Sequence, residues 1–248
     1  RSRGLGDVYK RQAFGVWTQA LAPSIPASTH TFDSFMTELL ILRHGETFWN
    51  RERRMQGWQD SALTPAGEAQ ARAICRLLQA NQVDWRGWRF LSSPLGRALK
   101  TADIALGALG AVELEPDLRE IGMGAWEGLT IDEIALRWPA SATVSDPLAW
   151  YAAAPGGEPL AHLRARAEAV LARLEGPAVL VTHGFFSRYL RGAALGLAEA
   201  ELSALEDRQG VVWRIREGRM ETLDACPMPA DAPASSGDGS RTIGPYAP

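Results

Sequence analysis

Two short, uninterrupted apolar runs, Glu38-Leu-Leu-Ile-Leu42 and Ala178-Val-Leu-Val-Thr182, most constrain what this chain can fold into. Without polar alternation they read as strands covered on both faces, as in a parallel sheet. Parallel strands need crossover connections, usually helical, and the sequence supplies them. Pro65 to Gln79 reads as a helix, with Thr64 as N-cap, Pro65 at N1, and Ala69, Ala73, Ile74, Leu77 and Leu78 on one face. Arg89-Phe-Leu-Ser-Ser93 is a short strand, Leu95 to Leu109 a helix stopped by Gly110, and Ala111 to Leu114 a further strand. Glu158 to Leu174 is helical, lined by Leu160, Leu163, Ala167, Val170, Leu171 and Leu174. A helix runs from the second apolar run to Leu195. Val211 to Ile215 and Met220 to Leu223 flank Glu217-Gly218 as a hairpin. The alternation predicts an α/β protein: a three-layer α/β sandwich with a mostly parallel central sheet.

The ends differ from the middle. Residues 1–35 are basic and Gly-containing at first, then carry a short apolar stretch broken by Gln19 and Pro23, a faint echo of an export signal. The segment GLGDVYKRQ resembles translated adapter sequence, so residues 1–35 read as a foreign or disordered leader and Met36 as the start. Residues 225–248, rich in Pro, Ala, Ser, Gly and Asp, read as a disordered tail. That leaves a single domain, 36–224. A chain of 248 residues can bury a core without disulfides or structural metal. The two cysteines, Cys75 and Cys226, suggest no disulfide framework, and no apolar run is long enough to span a membrane. The expectation is a cytoplasmic protein with no membrane partner. A net charge of -3 argues against a nucleic-acid partner. Lys10 and Lys100 are the only lysines, an Arg bias that a GC-rich genome explains.

In open parallel sheets, sites form at the carboxyl edge. The first apolar run ends in Arg43-His44-Gly45-Glu46-Thr47, the second in Thr182-His183-Gly184, and the strand between in Ser92-Ser93-Pro94 with Arg97 just beyond. Of four histidines (His30, His44, His162 and His183), two directly follow the most apolar strands. Each is followed by Gly, which permits close backbone approach by a ligand. A single strand-end His is most often a hydrogen-bonded core residue. Two His-Gly pairs with an Arg beside one and a second Arg at a helix start make a cationic pocket for a dianion. The helix N-terminus at Gly184 adds positive potential. Neighbouring cations push an imidazole's pKa below its usual value and keep it neutral, hence nucleophilic toward phosphorus. The leaving oxygen needs a proton donor, and Glu46, Glu120 and Glu127 are the candidates near loops; an arriving dianion favours the acid form of a nearby carboxyl. Zinc ligand spacing is lacking, so no metal is expected.

The blocks LILRHGETFWN, LSSPLGRALKTA, LREIGMGAWEG and VTHG, in that order, resemble the histidine phosphatase superfamily, phosphoglycerate mutase-like branch, from Glu38 to Asp224. The resemblance implies that His44 is the phosphorylated nucleophile, that Arg43, Arg97 and His183 clamp the phosphate, and that Glu120 is the proton donor. It implies that Asn50 and Gln56 line the phosphate pocket and that Gly184 contributes its backbone N–H. It implies a small phosphorylated substrate and no cofactor. Glu127 reads as structural. Phe185-Phe186 after the second His-Gly departs from the Gly or small residue the family often has there, and Phe185 could narrow the pocket or face an apolar leaving group; these and Trp49, Trp58 and Trp126 otherwise read as packing residues. Family mutases resemble one another in a longer basic insert after the Glu block. Here residues 129–158 hold only Arg137 as a basic residue and end in Pro-Gly-Gly-Glu158, with Arg166 eight residues on, a pattern resembling the broad-specificity and α-ribazole-phosphate phosphatases. The expected activity is therefore phosphomonoester hydrolysis through a phosphohistidine, with a mutase as alternative and a non-catalytic phospho-ligand module as the third reading.

Overall fold

The structure, a computed structural model, describes residues 38–81 and 83–225. The leader, Met36 as start, His30, Cys226 and the tail beyond Ala225 lie outside the described residues. Among the described residues no helix is long and apolar enough to cross a membrane.

Six strands form one sheet: β1 (Leu39–Arg43), β2 (Arg89–Ser92), β3 (Val112–Leu114), β4 (Ala178–Thr182), β5 (Val211–Arg216) and β6 (Arg219–Asp224). Their order is β3-β2-β4-β1-β5-β6. The first four run parallel, and β5 and β6 add an antiparallel edge. The helices are α1 (Phe48–Arg51), α2 (Pro65–Ala80), α3 (Gly96–Leu106), α4 (Ile131–Arg137), α5 (Pro147–Ala152), α6 (Leu160–Ala172), α7 (Gly184–Leu195) and α8 (Glu199–Leu202).

The two apolar runs are the central pair, β1 and β4, and both are buried throughout. Because strand side chains alternate between faces, Leu40, Leu42, Val179 and Val181 join Phe90 and the inner faces of α2 and α3 in one core cluster. Ile41 and Leu180 point the other way and are equally enclosed, toward the paired helices α6 and α7. Helices thus cover both faces of a mostly parallel sheet, the sandwich expected from the sequence.

Several element details differ from expectation. Within α2, Ala69 is exposed and Ala71 takes the core position. Thr64 caps the helix as expected, its hydroxyl accepting from the Gly67 amide. Helix α3 stops at Leu106 rather than Leu109. A Cβ on Gly110 would stand 2.6 Å from the Phe90 ring, so the chain turns there to pass the sheet. Helix α6 starts two residues late, because Glu158 is engaged outside the helix by Arg166, as described below.

Candidate active site

Register brings the strand ends together. Arg43 stands opposite Thr182 across the β1–β4 pair, and Ser92 opposite Val181 across β2–β4. The next residues extend the ladder: the His44 amide donates to Thr182 O at 2.9 Å and the Ser93 amide to Val181 O at 3.0 Å. His44, Ser93 and His183 therefore emerge side by side at the carboxyl edge. The two imidazoles lie 5.2 Å apart between ring centroids, and both are buried.

The His44 ring is oriented by its own loop. Nδ1 lies 2.8 Å from Gly45 O and donates to it, which leaves the Nε2 lone pair open. Its pKa is held well below the ordinary imidazole value, chiefly by burial and then by the charges of Arg97 and Arg43. The direction matches the sequence-based expectation, but burial, rather than the cations, is the main cause. Gly45 is also needed within the protein: a Cβ there would run into Gly67 O, so the glycine admits the N-terminal end of α2. The Gly45 amide is tied at 3.0 Å to Thr101 Oγ1, which in turn donates to Arg97 O at 2.7 Å, linking nucleophile loop to clamp helix.

Arg97 is almost wholly buried at the start of α3. Its Nη1 donates to Gln59 O (2.7 Å) and Asp60 Oδ1 (3.1 Å), and its Nη2 to Gly57 O (2.8 Å). Nε has no hydrogen-bond partner among the described residues. Three of the five guanidinium protons are thus committed to holding the fork. Nε–H and one Nη2 proton remain on the same edge, suited to side-on recognition of a phosphate. Burial lowers the Arg97 pKa, with Glu120 and Asp60 opposing. On the other side, Arg43 Nη1 donates to Asp207 O at 2.6 Å and stands 3.7 Å from the Asp207 carboxylate, which also pairs with Arg188. The Gln56 Oε1 is likewise buried, with no hydrogen-bond partner among the described residues.

Glu120 sits at the N-terminal end of α7. Its carboxylate accepts from the amides of Ile121 (3.0 Å), Phe185 (3.2 Å) and Phe186 (2.9 Å). The helix has no side-chain cap of its own, so Glu120 supplies one from a distant loop. At the positive end of α7 the amides that reach Glu120 are those of Phe185 and Phe186; the Gly184 amide, expected to serve the phosphate, is not among them.

The loop carrying Glu120 is held from two sides. Arg166 grips Glu158 with Nε and Nη2, both at 2.8 Å, while its remaining donors reach the carbonyls of Asp117, Arg119 and Glu120. This gives the Pro-Gly-Gly-Glu pattern and Arg166 a physical role under the acid. From above, the Trp58 indole N–H donates to Glu120 O at 2.8 Å. Glu127 Oε1 accepts from the amides of Trp58 (2.9 Å) and Met123 (3.0 Å), stapling the clamp loop to the acid loop. Gly57 has φ +51°, a conformation that favours glycine, and a Cβ there would run into that same Glu127 oxygen.

Of the acid candidates, Glu46 is drawn away, its Oε1 accepting from the Thr64 hydroxyl at 2.6 Å at the start of α2. Glu127 has the structural role read from the sequence. Asn50 Oδ1 receives the Thr47 amide in a capping box and Gln209 Nε2 at 3.1 Å, which fixes the α1 loop beside His44. Trp126 packs among Trp138 and Trp150. Phe185 stacks on Tyr151 at 3.9 Å and is buried, so it does not narrow an open pocket. Sequence reasoning missed Asp60, Asp207 and Gln209. Asp60 alone carried a signal, as a carboxylate in the loop of Gln56. Among the described residues no cluster of His, Cys, Asp and Glu could hold a metal.

The sequence profile of the histidine phosphatase superfamily (branch 1) matches residues 39–220. A probable phosphoglycerate mutase GpmB from Photorhabdus laumondii is 35% identical over 176 residues, spanning 67% of this chain and 79% of that protein. Among solved structures, YhfR of Bacillus stearothermophilus is 33% identical with a TM-score of 0.63, over 76% of this chain and 96% of that one. The mycobacterial glucosyl-3-phosphoglycerate phosphatase Rv2419c, in complex with VO3, is 29% identical with a TM-score of 0.64, over 76% and 98%.

Proposed function

Because the chain belongs to the histidine phosphatase superfamily, we propose that it is a phosphomonoester phosphatase working through a phosphohistidine on a small phosphorylated metabolite. The observation that carries this reading is the His44 ring: Nδ1 is tied to Gly45 O, the imidazole is kept neutral, His183 stands 5.2 Å away between centroids, and Arg97 and Arg43 lie near enough to act on its charge.

The phosphoryl dianion enters against the two guanidinium groups, taking the free edge of Arg97. His44 Nε2 attacks phosphorus, the P–N bond forms, and the P–O bond to the alcohol breaks. Glu120 gives a proton to the leaving oxygen. Water then attacks the phosphohistidine, Glu120 takes a proton from it, inorganic phosphate leaves and neutral His44 is restored. The arginines counter the charge that builds on the equatorial oxygens in both steps. No metal takes part in this scheme, and EDTA should leave turnover unchanged.

A mutase reading draws on the names of relatives such as GpmB. A mutase must also hold the second anionic group of its substrate. The segment that would provide it here folds as α4, α5 and the turn between them, and its sole basic residue, Arg137, is exposed. This favours hydrolysis. The deciding experiment is a screen of phosphorylated metabolites, including 3-phosphoglycerate and α-ribazole phosphate, with product analysis. Stoichiometric release of inorganic phosphate, abolished in a folded His44→Ala variant, is expected. An isomeric phosphate ester as the product would replace the phosphatase with the mutase.

A further inference from the structure

Ser93 has no role in the scheme above, yet it is completely buried and touches the second histidine. Its Oγ lies 2.8 Å from His183 Nε2 and accepts from the Leu95 amide at 3.3 Å. His183 Nδ1 is buried with no hydrogen-bond partner among the described residues.

A serine hydroxyl has one proton and two lone pairs, and a neutral imidazole has one N–H and one lone pair. The Leu95 amide already uses one Ser93 lone pair. If His183 carried its proton on Nε2, it would donate to Ser93, and the hydroxyl proton would be left in the protein interior with no acceptor among the hydrogen bonds of the described residues. The bare Nδ1 lone pair would also be left buried, with no donor among the described residues. With the proton on Nδ1, Ser93 donates to Nε2 and every group is served once phosphate arrives. A buried hydrogen bond left unmade is costly, and so is a lone pair against an anion.

We infer that Ser93 fixes His183 as the Nδ1–H tautomer, so that the pocket meets a hydrogen-bond donor and never a lone pair. Ser93 is thus a positioning residue acting through His183. This rests on the proposal that the pocket binds a phosphoryl group. The question of tautomer arises because His183 is kept neutral, by burial first and then by Arg97, His44 and Arg43.

The test reads the tautomer directly. 15N NMR of histidine-labelled, substrate-free protein at neutral pH should show His183 protonated at Nδ1 and bare at Nε2. The reverse assignment in the wild-type protein overturns the inference, and this arm needs no variant to fold. In Ser93→Ala the lock is absent. The His183 signals should move toward a mixture of tautomers, and competitive inhibition by inorganic phosphate should weaken about tenfold. Ser93→Thr, which keeps the hydroxyl, should restore both. Unchanged signals and unchanged inhibition in a folded Ser93→Ala variant would also overturn it. The NMR readout requires no turnover, so a protein with the Nδ1–H tautomer that hydrolyses no ester would defeat the phosphatase reading alone.

Discussion

Arg97→Lys conserves charge and should nonetheless disable the enzyme. The guanidinium has five N–H donors, and the protein engages three of them, at Gly57 O, Gln59 O and Asp60 Oδ1. An ammonium group has three protons in all. If it serves the protein acceptors, it has none for phosphate; if it turns to phosphate, it strands carbonyls in the interior. Losing one donor from a transition-state oxyanion site costs about 2.7–4 kcal/mol, a factor of about 10²–10³. We therefore expect kcat/KM for p-nitrophenyl phosphate to fall by about 10²–10³, with inhibition by inorganic phosphate weakened in parallel. A stranded buried carbonyl costs a further ~1–3 kcal/mol of stability. The Asp60 carboxylate is 38% exposed, so its ion pair adds little to that sum. At about 2–4 °C per kcal/mol for a domain of this size, melting should fall by a few degrees. Steady-state kinetics and a thermal melt on the same preparation suffice. A loss under tenfold, with phosphate inhibition intact, would show that Arg97 acts as a charge and not as a fork.

Three further outcomes follow from the same geometry. Glu120→Gln should slow alkyl phosphates far more than p-nitrophenyl phosphate, whose leaving group needs little protonation; equal losses would remove Glu120 from the acid role. Glu127→Ala deletes the acceptor of the Trp58 and Met123 amides, and should cost alkyl phosphates about tenfold while sparing p-nitrophenyl phosphate; a uniform loss would mean that the staple serves only stability. In the proposed scheme His44 attacks as the neutral imidazole, and its pKa is lowered, so activity should be present above that pKa and be lost as pH falls through it. The acid limb of kcat/KM should therefore lie below the usual imidazole value of about 6.5, and a pH–rate profile placing it at or above that value would contradict the electrostatics.

The sheet was legible because its central strands are buried on both faces, a condition that leaves an unbroken apolar mark in the sequence. His44, His183, Arg43 and Arg97 were legible because they stand at or just after strand ends, where local order predicts spatial position. Ala69 and Ala71 could not be told apart in α2, since alanine weakly marks which face is turned inward. Asp60, Asp207 and Gln209 were hidden for a different reason. They act on Arg97, Arg43 and the α1 loop from loops of no regular period, and a polar loop residue carries no local sign of the partner it will meet. The Glu158–Arg166 pair was visible as a pattern, but its purpose became clear only when its carbonyl partners around Glu120 were in view.

The pairing of Arg43 with Thr182 makes the proposed catalysis a measurement of strand alignment. His44 and His183 are each one residue beyond that rung, on separate strands with no covalent link nearby. A slip of one residue would carry one imidazole about 3.3 Å along the sheet and turn its side chains to the opposite face. Helix content and compactness would barely register such an error, whereas phosphoryl transfer would cease. In refolding experiments the return of turnover would therefore time the locking of β1 against β4, and a sample with full helical signal but no activity would be a sheet zipped one notch out of place.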